Sequence, residues 1–190
     1  MYNILLDPLP DTYEGYLIRT DYQIGLQISL VLDDAEFTEE EKIWIALDLL
    51  YGTGKPSVEM ALDGLSWFMR GGADPVEVSG APGTRSIWFD FDAPRIFASF
   101  QKSFGLEIHK KSMHWFAFLA LLDCIDEDSS LAHAIQIRAT NTSKMKGQER
   151  AMYERLKKRL TPKPKYTPEE QAAIDTFWRQ FELEKQEKDH

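Results

Sequence analysis

The stretch from Ile87 to Leu122 constrains the fold of this chain most, because it concentrates aromatic side chains between helix start and stop signals. Asp92 can cap a first helix, and Ala93-Pro94 puts a proline in its first turn, where the missing N–H costs nothing. Ile96, Phe97, Phe100 and Phe104 recur at helical spacing. Gly105 supplies a left-handed residue to end the helix. Ser112 can cap a second helix, in which Trp115, Phe116, Phe118, Leu119, Leu121 and Leu122 are apolar almost all round. Such a helix must be buried in a core or an interface.

The flanking sequence is punctuated in the same way. Thr20 is expected to cap a helix running to about Leu32. Thr38-Glu-Glu-Glu41 is a capping box opening a helix to Tyr51, which Gly52 closes. Ser57 is expected to cap a third helix through Met69, ended by Gly71-Gly72. Residues 72–86 are turn-rich and read as a mobile loop. Asp126 to Ser130 caps a short helix with Leu131, Ile135 and Ile137. Another helix is expected from about Lys144 to Leu160. Thr167-Pro-Glu-Glu170 is a second capping box, opening a last helix with Ile174, Phe177, Trp178 and Phe181. Ahead of all these, Asn3–Leu6 and Tyr13–Ile18 read as extended pieces separated by Pro8 and Pro10. The expectation is a mainly α, multi-helix single domain over residues 1–160. It has a short N-terminal extended arm or hairpin over 1–20 and a C-terminal helical extension over 161–190.

Candidate chemistry is sparse. Gly52-Thr-Gly-Lys55 resembles part of a phosphate loop, but Leu49 stands where that loop needs its first glycine, and the stretch follows a helix instead of a strand. His109, His114, Cys124 and His133 match no familiar metal-ligand spacing, so no metal or other cofactor is expected. The single cysteine, Cys124, reads as a packed thiol. Asp90 with Asp92, and Asp123 with Asp126, Glu127 and Asp128, lack an accompanying nucleophile or base and read as caps and a solvated loop. These absences argue against an enzyme.

Charge says more. The chain carries −9 overall, which argues against general nucleic-acid binding, and no apolar run is long enough for a membrane span. The N-terminus has no signal-peptide pattern, so an intracellular, soluble protein is expected. Between Lys144 and Lys165 nine basic residues face two glutamates, a net +7, leaving −16 on the rest. Lys157, Lys158 and Arg159 are therefore candidates for electrostatic docking on an acidic partner. Trp67, Phe68, His114 and Trp115 are candidates for an apolar partner contact.

An ordered series of short motifs carries a resemblance. It comprises Ile18-Arg-Thr-Asp-Tyr22, Glu40-Glu-Lys42, Trp67-Phe-Met-Arg-Gly71, Phe89-Asp-Phe-Asp92 and Ile96-Phe-Ala-Ser-Phe100. It continues through Phe104-Gly-Leu106, Met113-His-Trp115, Phe118 to Leu122, Ile137-Arg138 and Lys144 to Tyr153. Over about residues 15–160 the chain resembles the gp-fifteen family of siphophage and prophage tail regions. Phe116 departs from it, standing where a second tryptophan is expected. The resemblance implies a tail-assembly chaperone in the host cytoplasm, with the phage tape-measure protein as partner, self-association into a homo-oligomer, and no transferable catalytic residues. Two other readings are a structural connector retained in the virion and a small nucleic-acid-binding regulator.

Overall fold

The computed structural model describes residues 5–74 and 86–163, together with Glu170, Ala172 and Thr176. Among the described residues up to 163 the fold is seven α-helices, one short 3-10 helix at Ile108–Lys110 and one two-stranded hairpin. The hairpin pairs β1 (Thr12–Tyr13) with β2 (Tyr16–Leu17) through Glu14 and Gly15, both at positive φ. That turn matches the right-handed twist of the flanking strands. It overlaps the second stretch read as extended, Tyr13–Ile18, and begins one residue before it.

The helices are α1 (Tyr22–Leu32), α2 (Glu39–Tyr51), α3 (Val58–Met69), α4 (Ala93–Phe104), α5 (Trp115–Asp123), α6 (Ser130–Ala139) and α7 (Gly147–Leu160). Local signals explain most boundaries. At α2 the Thr38 hydroxyl accepts the Glu41 N–H, while the Glu41 carboxylate accepts the Thr38 N–H at 2.8 Å. Those bonds to Thr38 hold the Glu41 carboxyl below its ordinary pKa. Gly105, at φ 64°, ends α4 as its position predicts.

Four caps differ from the sequence expectation, one being Ser57, which stands before α3 without a side-chain capping bond. Asp21, one residue beyond Thr20, caps α1 by accepting the Gln23 N–H, because the Thr20 carbonyl is drawn to the Trp115 N–H. His114 replaces Ser112 as the cap of α5, and Ser112 instead donates to the Asp21 carboxylate. Asp92 does stand at the start of α4, but its side chain makes no capping bond and turns into the protein. Cys124, expected to be packed, is exposed because α5 ends at Asp123 and the chain turns outward there.

Successive packing contacts run α3–α2–α1–α5–α4–α6–α7, so α3 and α7 stand at the two ends of the series. Phe68, Phe100, Trp115, Phe118, Ile28, Leu47, Leu50 and Leu131 fill the main core. Phe118 lies at its centre, stacked on Phe100 at 5.4 Å and on Trp115 at 5.3 Å between ring centres. Each such ring contributes on the order of 2–3 kcal/mol relative to exposure. Gly25 lets α1 approach α5, since a Cβ there would meet the Trp115 ring at 2.3 Å. A smaller cluster of Ala134, Ile137, Leu156 and Leu160 fixes α7 on α6.

Glu170, Ala172 and Thr176 are helical, and the Thr176 hydroxyl donates to the Ala172 carbonyl. Asn3 and Ile4, residues 75–85 of the expected loop, the Thr167 cap and the apolar positions Ile174, Phe177, Trp178 and Phe181 lie outside the described residues.

Candidate interaction surfaces

Several features that could carry chemistry have structural uses. Gly52 has a positive φ, and a side chain there would meet the Arg19 guanidinium at 2.8 Å. Lys55 pairs with Asp48 and lies over the Trp44 ring, so Gly52–Lys55 is a helix–helix connector. His109 packs on Phe97, His133 and Cys124 are exposed, and no metal-competent cluster exists among the described residues. In the acidic loop, Asp128 pairs with Lys102, whose hydrogen bond lowers its pKa.

The most polar buried site is a lock at the start of α4. Arg138 of α6 grips both Asp92 oxygens, at 2.7 and 2.8 Å, with both side chains almost wholly buried. Its Nε–H donates to the Leu160 carbonyl and its Nη1 to the Ser86 carbonyl. The guanidinium also lies 4.9 Å from the Trp88 ring centre. Asp92 accepts two further bonds, from Arg95 and from the Trp88 N–H. Every charge-bearing atom of the pair is thus engaged, which suits a structural tie better than proton transfer. The sequence shows Arg138 only as part of the Ile137-Arg138 motif, with no role attached; its visible signal is one arginine beside Ile135 and Ile137 on a short apolar helix.

The four aromatic candidates divide into two pairs. Phe68 and Trp115 are 0% and 1% exposed. They are core residues, because Phe68 shares an inward face with Ala61 and Leu65, and Trp115 opens α5 against Gly25. As partner contacts of the folded chain they are therefore corrected.

Trp67 and His114 are half-buried and come together across Phe116, whose ring centre is 5.2 Å from Trp67 and 4.8 Å from His114. Tyr13 of the hairpin joins them, 5.1 Å from Trp67. The His114 Nδ1 accepts the Phe116 N–H, so its ring proton sits on Nε2, which reaches the Pro10 carbonyl at 2.9 Å. Burial lowers the His114 pKa, and the Pro10 contact opposes this in part. His114 thereby pins the arm against the aromatic edge.

Beyond this edge the arm and hairpin expose Leu5, Leu6, Leu9, Tyr16 and Leu17, with Leu6 81% and Leu17 71% accessible. Further exposed apolar side chains lie on α2, α3 and the loop before α2, at Phe37, Ile43, Trp44, Val58 and Leu62. At the other end of the packing series, Lys158 and Arg159 are exposed on α7 and Lys157 is half-buried. No helix among the described residues is long and apolar enough to cross a membrane.

A family model described as "Bacteriophage Gp15 protein" matches residues 5–161. The chain belongs to that family. The match spans the hairpin and all seven helices, from the exposed arm to the carbonyl that Arg138 caps. Neither a curated protein nor a solved structure matches the chain.

Proposed function

We propose that this phage protein is a non-enzymatic tail-assembly chaperone, which binds the tape-measure protein in the host cytoplasm during tail morphogenesis. The carrying observation is the apolar surface of the arm and hairpin. Leu6, Leu9, Tyr16 and Leu17 are exposed on a segment tied down by His114 and backed by Tyr13 and Trp67. Large apolar side chains exposed on a fixed segment suit a partner with its own apolar stripe. A long amphipathic helical client has such a stripe and needs it covered until assembly, and helix-on-groove contact is the natural mode.

Co-expression with the tape-measure protein tests this. A soluble complex is expected to survive size exclusion, and the variant with Leu6→Glu and Leu17→Glu is expected to lose it while keeping its helical circular dichroism. A client that is equally soluble with and without this chain would remove the reading. Mass spectrometry of purified virions separates a chaperone, absent from finished particles, from a retained connector subunit.

A further inference from the structure

The α2 and α7 regions of the packing series carry opposite charge. Between Asp33 and Glu41 six of nine residues are carboxylates. These flank the outer face of α2, where Phe37, Trp44, Ile45 and Leu49 floor a shallow groove formed by two adjoining hollows of about 470 and 370 Å³ that share Trp44 and Ile45. Glu40, Glu41 and Asp48 form its rim, and Lys55 is its one lining cation. The floor is open, with Trp44 49% and Phe37 37% exposed.

At the far end of the series α7 turns Leu156 and Leu160 inward onto α6. Its remaining surface carries Arg150, Arg155, Lys158 and Arg159 against Glu149 and Glu154, all exposed, and one large exposed apolar side chain, Met152 at 52%. Methionine adapts well to an aromatic floor such as Trp44. A basic helix with one flexible apolar anchor therefore complements a groove with an aromatic floor and an acidic rim.

We propose that the partner for this groove is a second copy of the chain, with α7 of one molecule seated along α2 of the next. The contact joins two different surfaces, so it is heterologous: each bound molecule still presents a free groove and a free α7. Addition then continues until a ring closes or a filament grows. The resemblance implies only that copies associate; the inference names the two surfaces that meet, and no client enters the argument.

Sedimentation velocity of the full chain at about 0.05 M and about 0.5 M salt, where screening lengths fall from roughly 14 to 4 Å, tests it. Association beyond a dimer should grow with concentration at low salt and shrink at high salt. The groove variant carries Glu40→Lys and Asp48→Lys; the helix variant carries Arg155→Glu and Lys158→Glu. All four positions are exposed, so circular dichroism should match the parent. Each variant alone should associate about tenfold more weakly, because attraction at the rim becomes repulsion. Placing all four substitutions in one chain, or mixing the two variants, should restore association to within roughly threefold of the parent.

Trp44→Ala should weaken association without changing helix content. A chain that stays monomeric at low salt overturns the proposal, even if its groove binds a client. So does association indifferent to both reversals, or a four-substitution chain as weak as its parents.

Discussion

Truncation of Arg138 to alanine gives the most direct test of how the α4–α6–α7 half is held. The substitution deletes two bonds to Asp92, one to the Leu160 carbonyl and one to the Ser86 carbonyl, together with the stacking on Trp88. Asp92 is 0% exposed and would keep only Arg95 and the Trp88 N–H, each at 3.1 Å. Breaking one side of a buried ion pair costs about 3–5 kcal/mol, mostly through the stranded charge. Arg95 offsets part of that, being a second cation with 28% side-chain exposure, while loss of the Leu160 cap adds to it. The expected cost is about 4 kcal/mol. With a urea dependence of about 2 kcal/mol per molar, the unfolding midpoint should fall by about 2 M.

Arg159→Ala, at an exposed site, should move it by less than about 0.3 M. The double variant Asp92→Leu with Arg138→Met removes both charges, and should recover to within about 2 kcal/mol of the parent, since the Leu160 carbonyl still lacks its donor. An Arg138→Ala midpoint within about 0.5 M of the parent would refute the assignment of this pair as the lock.

Other outcomes follow from single contacts. Gly25→Ala should destabilise by about 1–3 kcal/mol with altered near-ultraviolet circular dichroism, because the Trp115 ring cannot retreat from the new methyl; helix propensity alone would predict a gain of about 1 kcal/mol. Thr38→Ala should cost about 1 kcal/mol in urea melts by opening the α2 capping box. His114 should make stability fall in mild acid. Its folded pKa lies below its ordinary 6.5, so the unfolded chain binds the proton more readily. Its contribution is complete above pH 6.5 and is lost as pH falls through the lower, folded value, where a proton on Nδ1 displaces the Phe116 N–H. The drop in thermal midpoint between pH 7 and pH 5 should be smaller in His114→Gln than in the parent.

The legible parts of this fold are those specified within a few residues. Thr38 and Glu41 lie three apart, so the start of α2 needs nothing beyond its own turn, and Gly105 ends α4 for the same reason. Asp92 has the right spacing for a cap, but the guanidinium that claims it lies 46 residues downstream, and no local pattern announces that pairing. His114 takes over from Ser112 because Thr20 and Tyr22 hold Met113 and Trp115 in a backbone bridge to the start of α1, a contact between distant segments.

The interaction surface was partly readable. Adjacent residues on a helix point about 100° apart, so Trp67-Phe68 must divide between edge and core, yet composition cannot say which goes where. Trp44 reads as one more apolar position of α2, and only the placement of α1 and α3 leaves it open to solvent. The net charge of Lys144–Lys165 was visible at once. Its position at the far end of the packing series from the acidic α2 was not.

The Arg138 lock also sets an order on how the protein is made. A chain leaving the ribosome presents Asp92 long before Arg138, and Arg138 another 22 residues before the Leu160 carbonyl that completes its bonding. Until that last carbonyl has emerged, burying the pair carries an unmet polar cost. The aromatic core around Phe118 can gather earlier, but the native arrangement closes from its C-terminal side, when α7 arrives to cap the arginine. Nascent chains halted short of residue 160 should therefore hold α4 loosely, and the first length to resist proteolysis should be the one that carries Leu160 clear of the exit tunnel.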